Sequence, residues 1–256
     1  MAKGLDPYLL IAADLYGVPR GSLSKEKDVE KRQRGKNTFL GCGFQMGADK
    51  WCMKYQGECQ CRDLPARCEH PDSLAHTQAV EGVATYRTKT APLVPQLWYA
   101  FEEAAYDAFL TRVPRTVRGI TFALEDGWMT ARLFDGKKIY YWNPTTIRSR
   151  FDKDAWAYWE LRDGRLQRTD VYGGKLVQNV VMGLERQLLV HAMARVEREG
   201  LRPILNGYDE LVTEPEAAAA DWATLKQIME DGPQWAKDLG LPIAAEGWVG
   251  DRYRKG

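Results

Sequence analysis

Two hydrophobic periods share the chain, a helical one near its ends and a strand-like one in the middle. Residues 6–16, Asp-Pro-Tyr-Leu-Leu-Ile-Ala-Ala-Asp-Leu-Tyr, place an acid and a proline ahead of helix formers, which predicts a capped helix start. Gly17-Val18-Pro19-Arg20-Gly21-Ser22 breaks it, and a second helix is expected from Ser24 onward. From Ala75 to Leu110, apolar residues recur every three or four positions around Pro92 and Pro95, which predicts two packed helices with Trp98, Tyr99, Phe101 and Tyr106 in the core. Between residues 117 and 142 the period drops toward two, and Asp126-Gly127 and Asp135-Gly136 read as hairpin turns. A connecting stretch rich in Trp and Arg follows. Leu176, Val177, Val180, Val181, Leu184, Leu188, Leu189, Ala192 and Val196 then trace the buried stripe of a long helix ending near Gly200. Residues 202–213 read as strand, turn, strand, with Asp209 at or beside the turn. A final helix is expected over Leu225–Leu239. The expected class is α+β.

The chemistry concentrates at Lys31–Gly47. On a helix, Arg32, Lys36, Leu40 and Phe44 form one drifting stripe: two cations, an apolar residue and an aromatic ring. Such a face suits a nucleoside triphosphate, since cations meet phosphate oxygens in charge-assisted bonds and a ring offers a base a flat surface. Gly41, Gly43 and Gly47 each cost a helix about 1 kcal/mol against alanine, which points to close backbone approach or a hinge. A solvated basic helix start running into a buried apolar end is the plainer alternative.

Composition limits the partners. The 256 residues are 45% hydrophobic, enough for a real core, and the net charge is only +1, so phosphate must be met by local patches. Lys25–Lys36 is such a patch, with six Lys or Arg residues against three acids. No run approaches eighteen apolar residues, and Met-Ala-Lys-Gly-Leu-Asp lacks the apolar core of a signal peptide. The expected compartment is the cytoplasm, the host's if the chain is viral. Cys52, Cys59, Cys61, Cys68 and His70 offer either reduced thiols or structural zinc ligands, although their spacing is not that of a standard zinc knuckle.

The spacing of Arg32, Lys36, Leu40, Gly41 and Phe44 resembles the nucleotide-binding finger helix of DNA polymerases of the polymerase I type, family A, in a phage-like form. That family usually carries Phe or Tyr at the position of Leu40 and Tyr-Gly at that of Phe44-Gln45. Tyr208-Asp209-Glu210-Leu211-Val212 resembles the family's metal-binding His-Asp-Glu hairpin, with Tyr in place of His. Tyr172-Gly173-Gly174-Lys175-Leu176-Val177-Gln178-Asn179 resembles the segment that opens the palm helix, Leu133–Tyr141 a basic hairpin near the finger-to-palm junction, and Leu241–Trp248 the family's closing strand.

The resemblance implies fingers over residues 1–150 and the C-terminal part of the palm over 151–256. It implies two-metal transfer of nucleotides from dNTPs to a primer 3′ end with Mg²⁺. Asp209 would be the metal carboxylate, with Glu210 second. Arg32 and Lys36 would hold the triphosphate, and Lys36 would also protonate pyrophosphate. Leu40 would pack by the incoming sugar and Phe44 by the template base. Gln178, Lys137 and Lys138 would face primer-template DNA. The family's other metal aspartate lies upstream of the fingers, and only five residues precede Asp6, which opens a helix. The expectation is one part of a split or truncated enzyme, inactive without an upstream fragment carrying the thumb and the first palm motif. The alternative is a non-catalytic DNA-binding accessory with a polymerase-like fold.

Overall fold

Asp6 starts the first helix by the mechanism its sequence predicts. In the computed structural model, which describes residues 6–55, 74–149, 152–216 and 222–253, helix α1 spans Pro7–Tyr16. The Asp6 side chain accepts from the Tyr8 and Leu9 amides, Pro7 occupies the first turn, and Gly17 closes the helix at φ 64°. Helix α2 runs over Val29–Cys42, later than the expected start at Ser24. The reason is local: the Ser24 amide donates to Asp28 Oδ2 at 3.0 Å, and the Lys27 amide to Ser24 Oγ at 3.1 Å. These bonds close a turn in residues 24–28 instead of a helix. Helix α3, Ala48–Tyr55, was not foreseen in the cysteine-bearing stretch. The next expected pair of helices is present as α4, Leu74–Thr85, and α5, Leu93–Thr111. A five-residue π-helix, Tyr86–Thr90, joins the pair. Pro92 and Pro95 sit at the start of α5, where prolines lose no helical bond.

A six-stranded antiparallel meander follows in sequence order: β1 Arg115–Val117, β2 Ile120–Glu125, β3 Trp128–Arg132, β4 Lys138–Arg148, β5 Asp154–Arg162 and β6 Arg165–Asp170. Asp126 and Gly127 both take positive φ, as a tight two-residue hairpin requires. At Asp135-Gly136 only Gly136 does, because this is a three-residue loop, with the Gly136 amide donating to the Leu133 carbonyl and the Leu133 amide to the Lys137 carbonyl. The stretch taken as a connection is the hairpin β5–β6. Asn143, at φ 49°, and Pro144, which has no amide hydrogen, mark a bulge where the register of β4 against β5 shifts.

The chain packs as two compact units. The first holds the described residues up to Ala131 together with Tyr140–Gln178, and the second holds Arg132–Ile139 with the described residues from Asn179 on. Helix α6, Gly173–Arg198, contributes its first turns to the former and the remainder to the latter. In the first unit Ile11, Cys42, Trp51, Cys52, Ala79, Val83 and Tyr86 form one core among the helices, while Phe101 packs edge-on against Phe122 at 5.2 Å to join α5 to the sheet. Burying a side chain of that size is worth about 2–3 kcal/mol. Trp98 and Phe101 are core, as expected. Tyr99 is 59% exposed, because it stands one position off the buried face.

In the second unit Leu189, Val196, Leu201, Leu211 and Ile228 form the core. The hairpin of β7, Pro203–Asn206, and β8, Leu211–Thr213, is a two-stranded sheet. The long helix buries most of its predicted stripe, but Val181 is exposed. The single helix expected at the end is two, α7 Trp222–Glu230 and α8 Gln234–Asp238, divided at Gly232-Pro233. Residues 241–250 form no strand. They run beside α7, where the Ala245 amide donates to Glu230 Oε1 at 3.1 Å and Gly247 lies against the Trp222 ring. Among the described residues, no helix is long and apolar enough to cross a membrane.

Candidate nucleotide and metal sites

Helix α2 buries Gly35, Thr38, Gly41 and Cys42, a row of small residues that lets it lie deep against its neighbours. The closest crossing is at Gly35, where an added Cβ would overlap the Tyr8 carbonyl and stand 3.1 Å from the Ala12 amide nitrogen. Close approach or a hinge was expected of Gly41, Gly43 and Gly47; at Gly43 an added Cβ would meet the Phe39 carbonyl oxygen at 2.9 Å, whereas nothing lies within 4 Å of one at Gly47. With this face buried, Leu40 is left 43% exposed, while Arg32 and Lys36 are half-buried. Phe44 departs from the predicted stripe: α2 ends at Cys42, and Phe44 lies in the turn beyond it. Arg32 Nε donates to Asp6 Oδ2 at 2.6 Å, and its guanidinium lies 5.1 Å from the Tyr8 ring centre. Among the described residues Lys36 makes no hydrogen bond or ion pair.

The turn after α2 docks on the start of α6. Gly174 donates its amide to Gln45 Oε1 at 2.8 Å, and a Cβ there would come within 2.5 Å of the Phe44 carbonyl oxygen. Gly173 donates to Glu102 Oε2 at 2.8 Å, and Trp98 Nε1 donates to the Gly43 carbonyl at 2.9 Å. The two glycine-bearing motifs singled out from the sequence therefore meet backbone to backbone. Gln178, half-buried, lies in the second turn of α6. Lys175 is occupied elsewhere, paired with Glu160 at 3.3 Å and lying over the Tyr158 ring. Partial burial disfavours a charged Glu160, but hydrogen bonds from Thr169 and Tyr158 and the Lys175 charge outweigh it and lower its pKa.

In the second unit the β7–β8 loop holds Asp209 and Glu210, closed by the Gly207 amide on the Glu210 carbonyl at 2.9 Å. The Asp209 carboxylate has no hydrogen bond or ion pair among the described residues. It does raise the pKa of Glu185 on α6, where partial burial acts first and the Asp209 charge second. Glu210 is engaged by the Tyr253 hydroxyl, whose pKa it raises. A groove of about 430 Å³ is lined by Met182, Glu185, Arg186, Asn206, Gly207 and Tyr208, and Arg186 donates to Asn206 Oδ1 at 3.1 Å across it. Lys137 pairs with Asp135 at 2.8 Å, and Asp135 also accepts from Gln187. Glu185 escaped the sequence reading, although it lies seven residues after Gln178, on the same helix face. Cys59, Cys61, Cys68 and His70 lie outside the described residues, whereas Cys42 and Cys52 are buried thiols.

The chain is 31% identical over 251 residues to a DNA polymerase of Bacillus phage SP02. The match takes in 97% of this chain and 36% of the relative, so the chain spans about a third of the length of the curated relative it matches. No family model matches the chain, and no solved structure matches it. Similarity to a phage DNA polymerase thus covers the candidate residues of both units.

Proposed function

We propose that the chain is the fingers and C-terminal palm portion of a template-directed DNA polymerase of the polymerase I type, with the fingers up to residue 150 and the palm beyond. The observation that carries this reading is the face of α2 that holds Arg32, anchored by Asp6, and Lys36, unpaired among the described residues, beside exposed Leu40, within a chain alike along its length to a phage DNA polymerase. Arg32 and Lys36 hold the triphosphate of the incoming dNTP, and the Lys36 ammonium delivers a proton to the departing pyrophosphate. Leu40 packs by the sugar, and Phe44, placed by the Gly174 contact, faces the template base. Gln178, Lys137 and Lys138 meet primer-template DNA.

Asp209 is the carboxylate that this chain offers to magnesium. That it has no partner among the described residues, and repels Glu185, suits a hard cation. In the two-metal scheme one Mg²⁺ would activate the primer hydroxyl and the other would hold the triphosphate. Glu210 supports the loop through Tyr253. The first palm aspartate and the thumb come from an upstream segment or chain. The two-stranded β7–β8 sheet, with Ile204 and Leu205 more than half exposed, leaves room for its strand. The working place of such an enzyme is the host cytoplasm.

Primer extension tests this with the chain, an upstream fragment bearing the aspartate and thumb, and both mixed. Extension only in the mixture is expected. DNA binding without extension in the mixture would favour a non-catalytic DNA-binding accessory.

A further inference from the structure

We infer that Asp6 is a positioning residue that presents the Arg32 guanidinium to the triphosphate. The inference rests on the nucleotide-binding reading of α2. Asp6 divides its two oxygens between two tasks: Oδ1 accepts the amides of Tyr8 at 2.8 Å and Leu9 at 3.4 Å, which caps α1, and Oδ2 accepts Arg32 Nε at 2.6 Å. The anchor is therefore fixed before it holds anything. Beneath the guanidinium lies the Tyr8 ring, 5.1 Å away, and the Gly35 crossing fixes α2 against the same turn of α1. The ion pair is mostly sheltered, with side chains 25% and 21% exposed.

The choice of nitrogen matters. Asp6 takes Nε, on the side of the guanidinium, and the two terminal nitrogens make no hydrogen bond among the described residues. Those two form the fork that grips a pair of phosphate oxygens. An arginine free to rotate surrenders that freedom on binding, whereas Asp6 and Tyr8 have already removed it. Partial burial disfavours a charged Asp6, but the Arg32 hydrogen bond and the amides outweigh it, so the carboxylate is ionised at neutral pH. It also repels an incoming anion, so positioning and repulsion predict opposite effects of its removal.

The test is calorimetric titration of the full chain with dATP and magnesium, and with inorganic triphosphate as a second probe, beside a melting curve for every variant. Asp6→Asn keeps an oxygen for the helix cap but turns an amide donor toward Nε. Arg32→Ala is expected to weaken binding about tenfold, and Asp6→Asn about fivefold. In the Arg32→Ala background Asp6→Asn should add nothing, since the effect passes through the arginine. If Arg32→Ala weakens binding while Asp6→Asn leaves it unchanged or tightens it, the positioning role is overturned and the nucleotide reading stands. An Asp6→Asn effect that persists undiminished without Arg32 reports a loosened α1 and also overturns it. Failure of the chain to bind either probe, or indifference to Arg32→Ala, overturns both.

Discussion

Gly173 stands against the main chain of Trp98 so closely that an added Cβ would lie 2.5 Å from the Trp98 carbonyl carbon and 2.8 Å from its Cα. Both groups are backbone within helices and cannot swing aside. Gly173→Ala should therefore cost about 2–3 kcal/mol, the upper part of the range for overpacking, read from urea denaturation. Gly47→Ala, with nothing within 4 Å of the new methyl, should stay within about 0.5 kcal/mol of the parent. Equal losses at the two positions would disprove the contact.

Acid should loosen α1 from the π-helix. Asp14, with a side chain only 3% exposed, accepts two hydrogen bonds from Arg20 and one from Thr90. Burial works against its charge, but the bonds from Arg20 and Thr90 prevail and its pKa lies below the ordinary 3.8. A carboxylate depressed on folding stabilises the protein above its unfolded pKa and loses that contribution as pH falls through the folded value. Stability should thus drop below about pH 4, and Asp14→Asn should cost about 2 kcal/mol at pH 7 while flattening the acid limb. Melting temperatures between pH 2.5 and 7 check both statements.

Lys36 and Asp209 should fail differently in the reconstituted enzyme. Asp209→Asn should lower nucleotide addition about a thousandfold or more while leaving DNA binding nearly intact, because charge stabilisation worth several kcal/mol is used mainly in the transition state. Lys36→Ala should raise KM for dNTP and lower kcat together, since its charge serves both states. Single-turnover kinetics separate the two patterns, and an active Asp209→Asn enzyme would remove Asp209 from the site.

Primer-template affinity should fall as salt rises, with a slope set by the phosphates neutralised. Lys137→Ala and Lys138→Ala should each flatten that slope if the β3–β4 loop meets DNA. Fluorescence anisotropy of each variant between 50 and 300 mM salt gives the comparison, and slopes unchanged from the parent would remove the two lysines from the DNA-binding surface.

Cys42 should be chemically silent. Burial pushes its pKa up to about 12 against the opposing charge of Arg87, so almost no thiolate exists at neutral pH. Alkylation of the folded chain by iodoacetamide at pH 7.5, mapped by mass spectrometry, should spare this residue until denaturant is added.

What could be read from the sequence was local. Asp6-Pro7 and Gly17 bracket α1, and Asp126-Gly127 turns β2 into β3, because caps and tight turns need only neighbours. The β5–β6 hairpin stayed hidden because Trp156, Ala157 and Tyr158 are buried in succession, which destroys the alternation of a half-buried strand. Its one clear signal was Asp163-Gly164, both at positive φ. Phe44 was drawn into the stripe by assuming that α2 continued through Gly43. The Asp6–Arg32 pair, 26 positions apart, and the field of Asp209 at Glu185 depend on tertiary packing and leave no local trace.

The crossing at Gly35 also indexes α2, as a key indexes a shaft. Arg32 and Lys36 flank Gly35, where α2 lies against the α1 backbone, so the direction in which each points is set by counting from that contact. Adding or removing a single residue between Gly35 and Lys36 would swing every following side chain by about 100°, while the contact itself stayed seated. Such an indel would preserve the fold's core glycine yet turn Lys36 away from Arg32. In relatives of this chain, length changes are therefore expected outside Arg32–Leu40, and the spacing of the two cations should be kept even where the identities around them drift.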